Sequence, residues 1–196
     1  LIANPNAQPT AVTVTYLLAD GTAITRTYTL AGSTRRTVWV NGEALGLART
    51  TGIAMQVTAD QPVLAERAMY WPAPYPSWRD GHASAGTTAT GTAWALAEGR
   101  VGGEDHCETY LLLSNPGNTA SQVRITYMRA AGRTAVQETV TVAPTSRLTV
   151  PVGGTPGLSD ETFGIVVDVL SGSEIVAERS MYWDAGGLWW AAGTTV

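Results

Sequence analysis

Apolar and polar residues alternate with a period of two along much of this 196-residue chain. Val12, Val14 and Tyr16 alternate with Thr13 and Thr15, and Ile24, Arg26 and Tyr28 alternate with Thr25, Thr27 and Thr29. This pattern predicts strands with one buried face and one threonine-rich face in water. Between the two runs, Ala19-Asp20-Gly21-Thr22 reads as a hairpin turn, because Asp-Gly supplies the positive φ that a tight connection needs. Ala131-Gly132-Arg133 takes the same place further along. More strands are predicted at about 35 to 40, 52 to 58 and 63 to 71, and at about 147 to 152, 163 to 170 and 174 to 183. Pro and Gly clusters such as Gly153-Gly154-Thr155-Pro156-Gly157 separate them. Helical periodicity is hard to find.

The strand pattern is itself repeated. Ala65-Glu66-Arg67-Ala68-Met69-Tyr70-Trp71 returns 112 residues later as Ala177-Glu178-Arg179-Ser180-Met181-Tyr182-Trp183. Asn4-Pro5 matches Asn115-Pro116, Val12 to Tyr16 matches Val123 to Tyr127, and Gly52-Ile53 matches Gly164-Ile165, with one residue of insertion near Arg133-Thr134. A period of this size is a domain in tandem, so two domains are expected, at 1–88 and 89–196. About seven short strands per copy suggest antiparallel sandwiches of immunoglobulin-like type, with a barrel as the runner-up. The Cys-Trp-Cys hallmark of antibody domains is absent. The stretch from Ala89 to Leu111 has no counterpart before Leu1, so the first copy is expected to lack its opening strand segment and the chain to be a piece of a longer array. The Ala-, Ser-, Thr- and Gly-rich segment from Gly81 to Gly91 reads as a short, semi-rigid junction.

Composition narrows the class. Hydrophobic residues make up 44% of the chain and charged residues only 14%, which is the look of a secreted β-protein rather than a cytosolic enzyme. All 12 basic residues are Arg. Without Lys, neither a Lys-Asn isopeptide crosslink nor a Schiff-base lysine can form. A net charge of -4 argues against nucleic acid, which requires a basic stripe. Cys107 stands alone, so no disulfide framework is expected, and the residue reads as a small buried hydrophobe. No apolar run reaches the length of a membrane span.

Three groups of residues could carry chemistry. Tyr70, Trp71, Tyr75 and Trp78 follow the first signature, and Tyr182, Trp183, Trp189 and Trp190 lie in or after the second. Exposed rings stack on sugars, which makes Tyr75, Trp78, Trp189 and Trp190 a candidate polysaccharide platform; packing within or between domains is the competing reading. Glu66-Arg67 and Glu178-Arg179 sit inside otherwise apolar strands, where neighbours point to opposite faces. Each Glu therefore needs a cross-strand partner, Arg35 or Arg147 being the candidates, and structural ion pairs are expected. One acid per copy is not the pair of carboxylates that a glycosidase needs. Glu104-Asp105-His106-Cys107-Glu108 offers one His and one Cys, too few for a zinc site, and reads as a solvated turn. No catalytic motif is present, so no enzyme and no cofactor is expected.

Trp94-x-Leu96-Ala97-Glu98-Gly99, Glu108-Thr109-Tyr110-Leu111-Leu112-Leu113-Ser114-Asn115-Pro116 and Val176-Ala177-Glu178-Arg179-Ser180-Met181-Tyr182-Trp183 together resemble an uncharacterised repeat of large secreted or surface proteins of bacteria. The resemblance implies an extracellular or cell-surface β-sandwich in tandem arrays and transfers no catalytic or binding residue. The expected function is a structural or adhesive module of a filament, stalk or surface fibre. Its partners would be other copies of the repeat or subunit, with strand donation between subunits as the sharpest version. A carbohydrate-binding module is the alternative.

Overall fold

The computed structural model describes residues 1–48, 51–71, 80–185 and 188–195, with side chains described except at 71, 80, 185, 188, 189 and 191–195. The protein is all-β and its strands pair antiparallel in four sheets. Seven strands come from the first half of the chain: β1 (Ile2–Asn4), β2 (Thr10–Leu17), β3 (Ala23–Leu30), β4 (Thr34–Arg36), β5 (Ala54–Ala59), β6 (Leu64–Trp71) and β7 (Asp80–Ala85). Eight follow: β8 (Ala93–Val101), β9 (Glu108–Asn115), β10 (Ser121–Arg129), β11 (Val136–Val142), β12 (Ser146–Pro151), β13 (Glu161–Ser171), β14 (Val176–Ala185) and β15 (Leu188–Thr195).

The two halves share a plan. Sheet order β4-β1-β6-β7 in the first half corresponds to β12-β9-β14-β15 in the second, and β3-β2-β5 corresponds to β11-β10-β13-β8. The alternation read from sequence places Val12, Val14 and Tyr16 inward on β2 and Val123, Ile125 and Tyr127 inward on β10, all buried. One buried cluster gathers Ile2, Val12, Val14, Tyr16, Tyr28 and Leu30, and a separate one gathers side chains from Leu96 to Ala177. Each cluster joins residues of both sheets in its half, which is the arrangement of a β-sandwich and compatible with the immunoglobulin-like type.

The halves differ where β8 lies. β8 pairs along β13, from Asp168 opposite Ala93 to Glu161 opposite Val101. Phe163 opposes Gly99 and Ile165 opposes Leu96, so three steps on β8 match two on β13 and the strand bulges. Gly99 is required there, since a Cβ would lie 2.3 Å from the Phe163 ring, itself packed edge-on at 5.4 Å against Tyr127. Trp94 donates its indole N–H to the Ile175 carbonyl at 3.1 Å. Among the described residues, β5 pairs only with β2, and no strand takes the place of β8. β1 is also short: it meets β6 at Leu64 and Ala65, whereas β9 follows β14 from Val176 to Tyr182.

The strand expected at about 35 to 40 is shorter in fact. β4 ends at Arg36, and Val40-Asn41-Gly42 forms a 3-10 turn instead. The segment from Gly81, read as a junction, opens as strand: β7 pairs with β6 from Trp71 opposite Asp80 to Glu66 opposite Ala85. Small alternating residues suit a sheet edge as well as a linker, and the pairing decides for the edge.

A buried asparagine closes the same corner in both halves. The Asn4 side-chain amide donates to the carbonyls of Gln8, Leu30 and Ala31, and its Oδ1 accepts from the Asn6 amide. The Asn115 amide donates to the Thr119 and Val142 carbonyls and to Ser121 Oγ, and its Oδ1 accepts from the Gly117 amide. Beside each, a non-glycine residue with positive φ, Ser33 or Thr145, donates its amide to the loop at the Asn6 or Gly117 carbonyl. Asn115→Ala strands buried backbone carbonyls and should cost about 2–4 kcal/mol, since each unsatisfied buried group costs roughly 1–3 kcal/mol. Urea unfolding of Asn115→Ala and Asn115→Asp checks this, Asp being the harsher change because a carboxylate oxygen then faces the Thr119 and Val142 carbonyls in place of the donating NH2.

Candidate functional site

The signature strands β6 and β14 place their charged residues differently. Arg67 Nη1 donates to Glu178 Oε2 at 2.9 Å, joining the first signature to the second. Both side chains are about four-fifths buried. Arg179, the counterpart of Arg67, turns instead to β8, where Nη1 donates to the Glu98 carbonyl and lies 3.8 Å from the Glu98 carboxylate. Glu66 is exposed. Of the two arginines expected to face a glutamate, Arg35 is exposed on β4 opposite Ala3, and Arg147 is buried and feels the charge of Glu178. The structure thus brings Arg67, Glu178 and Arg147 into one neighbourhood and leaves Glu66 and Arg35 outside it.

That neighbourhood lies between the halves. Leu17 and Leu18 are buried yet belong to neither core cluster. Met128, the counterpart of Leu17, is 46% exposed, so the burial of Leu17 is not a property of the sandwich alone. The Arg147 amide donates to the Leu18 carbonyl at 3.2 Å, and its guanidinium donates to Thr149 Oγ1 at 2.6 Å. Gly52 makes room for that guanidinium, for a Cβ there would fall 1.8 Å from Nη1. Burial lowers the pKa of Arg147 from its usual value, the Glu178 charge opposes that shift, and Arg67 adds to it. Two guanidinium groups thus share the field of one carboxylate. Leu17, Leu18 and Gly52 carry no signal in the strand alternation; their contacts are set by a neighbouring sheet.

The remaining candidates separate. Tyr75 and Trp78 of the aromatic platform, and the side chain of Trp189, lie outside the described residues. Trp190 is half-exposed on β15 opposite Trp183, and Tyr70 is largely exposed on β6. Glu104, Asp105 and His106 occupy the tip of the connection from β8 to β9, which lie in different sheets, and the connection is closed by reciprocal backbone bonds between Gly102 and Cys107. Arg100 holds Asp105 at 3.3 Å, and Glu108 accepts the Tyr110 hydroxyl at 2.8 Å. Burial together with that bond pushes the Tyr110 phenol up to about 12. Among the described residues no group of three His, Cys, Asp or Glu side chains is placed to hold a metal ion. Cys107 is unpaired and buried, and its burial raises the thiol pKa, away from the reactive thiolate.

No family model matches this chain, and no curated protein matches it. Solved structures similar to it include the Thermotoga maritima protein 1070, at 14% identity and TM-score 0.49, over 54% of this chain and 92% of that one. The Anabaena sensory rhodopsin transducer is another, at 22% identity and TM-score 0.40, over 48% of this chain and 91% of that one. Both scores lie below 0.5, and neither likeness carries a function to this chain.

Two outcomes follow from this geometry. Gly52→Val expels the Arg147 guanidinium and should lower the unfolding midpoint by a few degrees through about 1–3 kcal/mol of overpacking. Gly154→Val at an exposed position, where a Cβ meets nothing within 4 Å and φ is not positive, is the control for β-branched substitution at a glycine. The second concerns Glu161, which is bound by Arg129 at 2.7 Å and also by Arg133. The Arg129 bond holds the Glu161 carboxyl below the usual carboxylate range. A depressed folded pKa contributes stability that is full above the unfolded value, about 4.3, and is lost as pH falls through the folded value. Melting temperature from pH 7 down to 2 should therefore fall less steeply in Glu161→Gln than in wild type.

Proposed function

We propose that this chain is a structural module of an extracellular or cell-surface fibre, in which β-sandwich repeats are joined in series and cohere through their own signature residues. The observation that carries the reading is the Arg67–Glu178 pair at 2.9 Å, a contact between the two copies of one motif. Side chains retained in both copies of an enzyme would be expected to converge on a cleft. Here the retained charges go to cohesion: Arg67 to the other copy and Arg179 to the bulge of β8. The arginine-only basic set, the low charge content and the threonine-rich outer strand faces favour an extracellular setting.

The pair holds two chain segments 111 residues apart, so it resists separation of the halves. A double-mutant cycle of Arg67→Ala and Glu178→Ala should give a coupling of about 1–2 kcal/mol, above that of exposed pairs because both side chains are about four-fifths buried. Either single variant should split thermal unfolding into two steps or widen it, as the halves lose mutual support. Negative-stain images of the native assembly should show beaded fibres. A monodisperse globular particle, with intrinsic fluorescence that shifts on adding polysaccharide, would instead favour a carbohydrate-binding module.

A further inference from the structure

The contact between the two sandwiches joins unlike faces. The first sandwich contributes the far end of β2 and the turn into β3. Leu17 and Leu18 are buried there, the Leu18 carbonyl accepts the Arg147 amide at 3.2 Å, and a Cβ on Gly21 in the turn would lie 3.8 Å from the Pro144 carbonyl. The second contributes β12 and the corner that leads into it. β12 is the outer strand of its sheet, and Arg147, opposite Ser114 of β9, donates its amide outward to the turn. Such a joint has no two-fold symmetry, so one sandwich can carry an inserting turn and a receiving strand at different places.

Both faces are duplicated. On the receiving side Ala3 lies opposite Arg35 and Asn4 opposite Thr34, as Ser114 lies opposite Arg147 and Asn115 opposite Ser146. A residue with positive φ, Ser33 or Thr145, precedes each strand, so the backbone enters β4 and β12 alike. β4 is likewise the outer strand of its sheet and its three residues are exposed. Ala3, Asn4, Pro5, Ser33, Thr34 and Arg35 line an open hollow of about 380 Å³. On the inserting side Met128 and Arg129 stand at the positions of Leu17 and Leu18. Gly132 turns the β10–β11 hairpin at φ 83°, as Gly21 turns the first at 82°.

We propose that β4 and the hollow beside it receive the β10–β11 turn of a second molecule of this chain, continuing between molecules the head-to-tail order that joins the two sandwiches within one. The Arg35 amide donates to the Arg129 carbonyl of the incoming turn, as Arg147 donates to Leu18. Met128 is covered by the contact, as Leu17 is, and its unbranched side chain adapts to a shallow surface. The buried ion pair is not copied. Arg179, at the position of Arg67, is held by the Glu98 carbonyl with its side chain 13% exposed, while Glu66, at the position of Glu178, stays exposed. Association between molecules is therefore weaker than cohesion within one. A joint of unlike faces that does not close leaves a free face at each end and grows into open chains. This docking deepens the modular reading and rests on it for the partner, another sandwich of the same repeat.

The test uses the full 196-residue chain in sedimentation equilibrium from about 10 μM to 1 mM, the range of weak association. The weight-average mass of the wild type should rise with concentration past that of a dimer. Thr34→Arg fills the hollow and Met128→Arg sets a charge on the inserting turn; each variant alone should stay monomeric. Mixed in equal amounts, they should form a dimer and nothing larger, because one keeps an intact receiving face and the other an intact turn. Both positions are at least partly exposed, and an unchanged unfolding midpoint shows that each variant is folded; Met128→Ser is the milder substitution for the turn. A wild type that stays monomeric or stops at the dimer, association that neither substitution reduces, or a mixture that stays monomeric would each overturn the docking. If the wild type fails to associate while Arg67 and Glu178 remain coupled, the docking falls and the modular reading stands. Association as described with no coupling between Arg67 and Glu178 keeps the docking and removes the ion pair as the source of cohesion.

Discussion

The pairing of β8 with β13 is the interaction on which the second sandwich depends. A strand in the middle of a sheet satisfies its backbone groups on both sides, and one at the edge leaves alternate N–H and C=O groups to water or to another chain. β13 lies between β10 and β8, so Phe163, Ile165 and Val167 can turn inward under cover from both neighbours. Full burial of an aliphatic side chain contributes about 1.5–3 kcal/mol. With Ile165, Val167, Ile175 and Leu96 all at 3% exposure or less, this seam is a principal source of stability in that half. β5, bounded among the described residues on one side only, keeps its apolar residues at intermediate burial or worse. It also sits two residues further along: Val57 opposes Val14, whereas Val169 opposes Val123, the counterpart of Val12. A slide of two leaves the same face inward, so the hydrophobic pattern alone does not forbid it.

The strands themselves were legible because alternation is a local property. Val12, Val14 and Tyr16 face inward as their spacing requires, and Asp20-Gly21 makes its turn with Gly21 at φ 82° and the Thr22 amide bonded to the Asp20 carboxylate. The ion pairs were legible only by face. Alternation says that Glu66 and Arg67 point opposite ways; it does not say which sheet lies opposite. Arg67 reaches Glu178 because two sandwiches meet there, and that meeting is marked in the sequence by nothing more specific than a leucine pair and a glycine. Of the four platform candidates, Tyr75, Trp78, Trp189 and Trp190, only Trp190 has a described side chain, and its register partner is Trp183.

Asn4 and Asn115 stand between these cases. Their repetition was visible, and their function was not, because Asn-Pro is a common turn sequence. The carboxamide is the smallest side chain that can donate twice and accept at the same corner, and in each half it ties the loop after the first strand of one sheet to the end of a hairpin strand in the other, Leu30 or Val142. It therefore links the two layers by polar bonds where the apolar core ends. Tyr127 does comparable work at the opposite end of β10, donating to Glu138 at 2.5 Å, an acceptor that also takes the Thr155 hydroxyl. In the first half Arg26 stands at the position of Glu138, and it is Tyr28 that donates instead, to Glu43 at 2.5 Å. Core layers and the asparagine corner were copied with the sandwich plan, while the tyrosine closure was rebuilt locally.

Arg67 and Arg179 show what a duplicated residue does when its surroundings are not duplicated. Both extend from the same position of the same motif, and a guanidinium buried to this depth must find acceptors or pay several kcal/mol in desolvation. Where β8 is present, the bulge opposite Phe163 turns the Glu98 carbonyl toward Arg179 and the requirement is met within the sandwich. Among the described residues no such strand lies alongside Arg67, and its guanidinium is met by a carboxylate of the other copy. The contact with the other copy and the contact with the bulge are thus two answers to one requirement, that a largely buried guanidinium be met by an acceptor.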